Sequence, residues 1–369
     1  MFCGGLLVPL VVSVAFVLIG GAENGVEESA TVPAPTRFLR ARSFTATPTP
    51  LPTPSLTPTP TAAAGPTPTA TPAPATPLTP VPTAAVLVAA ADPIPTPVPP
   101  SPSPTCAEAQ YLSWVWKFSV DGPAEEIANV LSDSGLGVIV KTHKGVHWMA
   151  EEDGTADAVT GPAQVANLAQ YFEGRGVPFH AYMVVQGLDP KREAEMAAEV
   201  LAAGARSLFL DLEPWHGYWQ GSAEGAIEFG RELRRLAPGA VVVTVIEPRP
   251  WALAGIPLAE FAQFSDALAP MVYWETFNSQ PNIDAFEARG LSPGPSGITP
   301  EFLLDVSMNL FQPYGLPLQP VGQGAASDLE HWARYLDHAE DLGMPDSSVF
   351  RHGVTNPGLW EQLKARTPC

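Results

Sequence analysis

Ser207-Leu208-Phe209-Leu210-Asp211-Leu212 and Ala240-Val241-Val242-Val243-Thr244-Val245-Ile246 stand on either side of a helical segment, 222–236, that ends before Pro238-Gly239. The first run reads as a buried strand. The second is a continuous β-branched run of the kind covered on both faces of a parallel sheet. Strand, helix, strand is the repeating unit of such a sheet.

Working outward, the same alternation recurs. Strands are expected at 113–119, 137–142, 178–186, 267–274 and 348–352, with a weak one at 318–322 where Pro317 and Pro320 intrude. Helices are expected at 123–131, 162–172, 258–264, 300–309, 328–342 and 359–365. A further helix at 189–203 carries its own start signal, Asp189 as cap and Pro190 in the first turn. Eight β-α repeats over about 250 residues match a closed parallel (β/α)8 TIM barrel of the α/β class. An open doubly wound sheet is the other arrangement, but no Gly-rich phosphate turn follows the first strand.

The ends of the chain have a different composition. Residues 5–22 are small and apolar, and Glu23, Glu27 and Glu28 follow. Segment 1–22 is therefore expected to direct export, either as a cleaved signal or as a retained membrane anchor. Residues 33–104 hold 22 of the 43 prolines, mostly as Thr-Pro or Ala-Pro. Segment 23–105 is expected to be a disordered Pro/Thr-rich linker, reaching on the order of 200 Å if fully extended. The folded part is then 106–369, enough for one large core. The barrel is expected outside the cell or on its surface, as a monomer.

Charge excludes some partners. Three Arg and four acidic residues lie in the first 105 positions, so −18 of the formal −19 falls on the folded part. So acidic a surface argues against nucleic acid and anionic lipid, and fits an enzyme acting on a neutral or cationic polymer.

Functional side chains of such a barrel gather where strands end. Alternation along 207–213 sends Asp211 and Glu213 the same way, with Cα atoms about 6.5 Å apart. A like charge and a half-buried site raise one pKa, giving a proton donor beside an ionised neighbour. Glycosidases need that pairing, and the ring of Trp215 suits the apolar face of a sugar. Glu213 is expected as general acid. Asp211 would orient it and steady positive charge developing on the sugar. Glu247 and Glu275 compete for a nucleophile or base role, each with a salt-bridged or substrate-binding role as the alternative. Tyr273, on one face with Met271 and Glu275, would reach substrate or pack in the core. Of Trp215, Trp219, Trp251 and Trp274, two are expected as sugar platforms. Lys141, His143 and Gln186 are further substrate-binding candidates. No cofactor and no metal are expected: His143 and His147 flank Gly145, and neither His-Glu-x-x-His nor Gly-x-Ser-x-Gly occurs.

These motifs resemble those of barrel glycoside hydrolases of the family 18 chitinase and family 25 lysozyme type. Such chitinases end strand four with Asp-x-x-Asp-x-Asp-x-Glu and carry Met-x-Tyr on strand six. Asp211-x-Glu213 and Met271-x-Tyr273 match, whereas Arg206 and Phe209 occupy the positions of the two earlier acids. The lysozyme type shares Asp-x-Glu but has a first-strand Asp where this chain has Lys117 and Phe118. The resemblance implies a glycoside hydrolase acting on a β-linked, N-acetylated polysaccharide or glycan. Glu213 would protonate the leaving oxygen, Asp211 would hold an acetamido group, and Tyr273 would assist. A non-catalytic carbohydrate-binding or adhesion barrel on a stalk is the second reading.

Cys106 and Cys369 stand at the two edges of the folded part, and termini of a domain often lie close together. In an oxidising compartment a disulfide between them would contribute about 5 kcal/mol in the chain-entropy picture. Mass spectrometry of the unreduced protein is expected to recover a Cys106–Cys369 cross-link; two free thiols would contradict it.

Overall fold

The computed structural model describes residues 110–325 and 328–367. Segments 1–22 and 23–105, expected to direct export and to act as a linker, lie outside the described residues, as do Cys106 and Cys369. Among those described, the strands are β1 (Tyr111–Val115), β2 (Gly137–Lys144), β3 (His147–Trp148), β4 (Phe179–Val184), β5 (Ser207–Leu212), β6 (Val241–Ile246), β7 (Ala267–Val272), β8 (Val321–Gln323) and β9 (Ser347–Phe350). All except β3 run parallel in one sheet. β1 pairs with both β2 and β9, so the sheet closes on itself as an eight-stranded (β/α)8 TIM barrel. β3 is a two-residue antiparallel extension on β2. No helix among the described residues is long and apolar enough to cross a membrane.

Strand periodicity divides the apolar residues into two layers. Val138, Val140, Leu208, Leu210, Leu212, Val242 and Ile246 are buried between sheet and helices. Trp114, Ile139, Tyr182, Phe209, Val243, Val245 and Met271 fill the barrel itself. The helices start where local chemistry directs. Asp189 accepts a hydrogen bond from Arg192 N at 3.1 Å to open the Pro190–Ala202 helix, and Ser222 Oγ accepts from Gly225 N at 3.2 Å to open Ala223–Leu236.

Three expectations need correction. β1 stops at Val115, not at 119, because carboxylates replace its strand partners. Asp121 Oδ2 accepts from Trp116 N at 2.7 Å and Lys117 N at 3.3 Å, and Asp153 Oδ2 accepts from Phe118 N at 2.6 Å. Phe118–Asp121 consequently coils into a helical turn. β7 stops at Val272 for a related reason: Gln323 Oε1 accepts from Glu275 N and Thr276 N, and Trp274–Phe277 forms a turn of helix. β8 is only Val321–Gln323, since Pro320 lacks an N–H; Leu318 contributes an isolated bridge to Leu268. The helix Gln280–Glu287 was not expected at all.

Asp121 also closes the seam of the barrel. Its Oδ1 accepts from the Arg351 guanidinium and, at 3.0 Å, from Gly353 N, joining the end of β1 to the end of β9. Removing a buried anion of this kind strands a guanidinium and three backbone donors. Asp121→Ala is expected to lower unfolding stability by about 3–5 kcal/mol in urea titration; a loss below about 1 kcal/mol would show that the seam is held elsewhere.

Candidate active site

Phe209, Asp211 and Glu213 follow one another up the inner face of β5 and its end. Phe209 packs against Trp114 at 5.4 Å between ring centres, and Trp114 against Tyr182 at 4.7 Å. These three rings form an aromatic floor beneath Asp211. Asp211 lies in register with Val184 on β4 and Val245 on β6, and Leu212 with Ile246. One step further along the same two strands bring Glu213 and Glu247 side by side. The side chain beneath Asp211 is the apolar Phe209, while Arg206 lies outside the barrel, paired with Glu173 at 2.7 Å.

Glu247 is buried and fully engaged. Arg249 Nε donates to Oε2 at 2.5 Å and its Nη2 to Oε1 at 2.7 Å. The indole N–H of Trp215 donates to Oε1 at 2.9 Å. Such a bidentate pair is the form in which a buried carboxylate is best tolerated.

Asp211 and Glu213, both half-buried, have no arginine of their own among the described residues; Glu213 instead meets the Trp215 indole and the Tyr218 hydroxyl. Burial is the main cause that lifts Asp211, the charge of Lys141 pulls it down, Glu247 pushes it up, and the result is about 7. Burial also drives Glu213 well above the usual carboxylate range, with Asp211 and Glu247 adding to it; Trp215 and Arg249 oppose. Burial raises the phenols of Tyr218 and Tyr273, and the two acids raise them further, so both stay neutral. Tyr273 is half-buried, with its ring 5.6 Å from Phe277 and 5.9 Å from Phe350. Lys141 is 2 % exposed, and its Nζ lies 2.8 Å from Glu152 Oε2. Burial raises Glu152, but the hydrogen bond and charge of Lys141 outweigh it and hold the group below its ordinary value. The arrangement offers a protonated carboxyl, a second acid titrating near neutrality, and neutral phenol donors close together at one end of the barrel.

Asp211, Glu213, Glu247, Tyr273, Lys141 and Trp215 therefore meet at the mouth. Other expected residues do not. His143 is buried on the outer side of β2, 5.4 Å from the Trp148 ring, and burial lowers it to about 3, so it is neutral and remote from the recess. Gln186 donates from Nε2 to Gly217 O at 2.9 Å, holding a loop instead of facing solvent. Trp219 is buried against Phe261, and Trp274 between Trp332 and Tyr335. Trp251 packs edge-on to Phe286 at 4.8 Å. Two tryptophan platforms were expected; of the four, only Trp215 is broadly exposed, at 42 %. Glu275 is exposed at the rim. Sequence reasoning missed Trp116, which lies between Lys117 and Arg351, and gave Tyr218 and Glu152 no role. The signal for Trp116 was its place at the end of β1, hidden by reading that strand too far.

The chain matches no protein-family profile and no curated protein sequence. Solved structures with a related chain path include the catalytic domain of a hyperthermophilic chitinase from Pyrococcus furiosus, at 13 % identity over 69 % of this chain and 94 % of that one, with a TM-score of 0.46. A family 18 N-acetylglucosaminidase from Paenibacillus barengoltzii gives 10 % identity over 70 % and 99 %, at 0.47. Dihydrodipicolinate synthase from Rhodopseudomonas palustris gives 14 % over 72 % and 78 %, at 0.39. The chemistry of the site rests on the side chains described above and not on these likenesses.

An acid whose pKa is raised by folding keeps its proton where the unfolded chain has lost it, so stability falls as pH rises between about 4 and about 7. Asp211→Asn is expected to stabilise the protein at pH 8 by on the order of 2–4 kcal/mol and to flatten the decline across that window. Chemical denaturation at pH 4 and pH 8 measures both; equal stability of the two proteins at pH 8 would contradict the site's electrostatics.

Proposed function

We propose that the barrel is a glycoside hydrolase acting outside the cell on a β-linked, N-acetylated polysaccharide. The observation that carries the proposal is the desolvated pair Asp211 and Glu213 at the barrel mouth, with Glu247 fixed beside it by Arg249. Glu213, holding its proton near neutral pH, donates it to the leaving glycosidic oxygen as the C1–O bond breaks. Glu247 has its oxygens occupied by Arg249 and Trp215, which makes it a poor nucleophile. The acetamido oxygen of the sugar takes that part, forming a bond to C1, and Asp211 and Tyr273 hold the acetamido group in place. Water then attacks C1 as the bond from C1 to the acetamido oxygen breaks, which regenerates the acetamido group, and the Glu213 carboxylate accepts the proton of the water, which restores the starting state. Trp215 offers an aromatic face at the rim. Export through 1–22 and the Pro/Thr-rich spacer 23–105 would present the barrel to an external polymer.

Hydrolysis assays with the purified chain on a panel of β-linked oligo- and polysaccharides test this. Glu213→Gln is expected to reduce kcat by about 10²–10⁴-fold and to change KM by no more than a few-fold. No turnover on any member of the panel, with saccharide binding retained, would instead favour a non-catalytic glycan-binding barrel.

A further inference from the structure

Across β4 from the acid pair, β2 and the end of β1 bring three lysines to one side of the mouth. Lys141 Nζ holds Glu152 Oε2 at 2.8 Å, and Lys117 Nζ approaches the same oxygen only to 3.6 Å. Beyond an irregularity in the pairing of β2, Lys144 leans toward the Tyr218 ring, 5.9 Å from its centre. A Cβ placed on Gly217 would lie 3.3 Å from the Lys144 ammonium, so the loop carrying Tyr218 passes close beneath it. Tyr218 thus stands between the lysines on one side and Asp211 and Glu213 on the other.

The partners of these cations are uneven. Arg351 has Asp121, Arg249 has Glu247, and Lys141 has Glu152. Lys117 shares an oxygen that Lys141 already holds. Among the described residues Lys144 makes no side-chain hydrogen bond or ion pair. A half-buried ammonium gains strongly from a ligand anion, because the contact replaces poor solvation.

We infer that this lysine wall receives an anionic substituent, so that the substrate is a saccharide bearing carboxylate or sulfate groups beside the bond that is cut. The inference rests on the glycosidase reading. It also revises an expectation drawn from total charge. The folded part carries −18 overall, which suits a neutral or cationic polymer, yet three lysines gather on one side of the mouth. At physiological ionic strength the screening length is about 8 Å, so the distant surface acids repel weakly while a contact with Lys117 or Lys144 is little screened.

Calorimetric titration of the full chain carrying Glu213→Gln, at about 0.15 M salt, would compare oligosaccharides of equal length and linkage. One is built of neutral N-acetylated sugars, one alternates these with uronic acids, and one carries sulfate esters. The uronate oligomer is expected to bind roughly tenfold more tightly than the neutral one. Adding Lys117→Gln and Lys144→Gln together should remove that preference and leave affinity for the neutral oligomer unchanged, which also controls for folding. Lys144→Arg should retain it. A sulfated oligomer bound as tightly as the uronate supports recognition of charge over carboxylate shape. Equal or tighter binding of the neutral oligomer, or a preference that survives the double substitution, overturns the inference. In that case hydrolysis of a neutral polymer, lost in Glu213→Gln, leaves the glycosidase reading standing; failure to bind any of the three oligomers overturns both.

Discussion

Desolvation of two like-charged groups on one strand is the constraint around which this molecule is arranged. Strand periodicity puts Asp211 and Glu213 on the same face, and barrel closure makes that face an interior. The floor beneath them is Trp114, Tyr182 and Phe209, which solvate no charge. An unpartnered buried charge costs several kcal/mol, so the surroundings must supply protons, hydrogen bonds or counter-charges. Arg249 and Trp215 serve Glu247, Lys141 acts on Asp211, and Glu213 keeps its proton. Phe209 sharpens the effect, because the position under Asp211 offers bulk and no polarity.

The loops that surround the site are fixed by a second device, used repeatedly. Buried side-chain acceptors take up backbone N–H groups that leave the ends of strands. Asp121 and Asp153 do so after β1, Glu193 accepts from Gln186, Gly187, Leu188 and Asp189 after β4, and Gln323 accepts from Glu275 and Thr276 after β7. Each acceptor satisfies donors that would otherwise be buried and unpaired. Together they hold irregular segments in one conformation, which is what a site needs if its groups are to be positioned before substrate arrives.

Much of the fold was legible because aliphatic runs such as Val241–Ile246 admit few alternatives to a buried parallel strand. The acid pair was legible for the same reason: a period of two needs no partner to be read. What failed was whatever depended on distant residues. The turn at 118–121 is set by Asp153, which is 35 positions from Phe118 in sequence, and no local signal marks that partnership. The tryptophans show a mixed case. Trp274 opens the turn of helix that follows β7 and packs between Trp332 and Tyr335, a placement hidden by reading the strand through to 274. Trp219 lies in a loop, where alternation has no meaning, and only packing under Gly187 and Gly221 decides its burial. The unmatched lysines were also beyond reach, since which cation finds a carboxylate is a property of three-dimensional neighbours.

The fourth barrel strand delivers two acids into the mouth, one of them still protonated at neutral pH. Titration of 13C-labelled carboxyl groups by NMR, assigned through Asp211→Asn and Glu213→Gln, measures it directly. Two interacting steps are expected, one near 7 for Asp211 and another, for Glu213, well above the ordinary carboxylate range. Two independent steps, both complete below about pH 5, would contradict it.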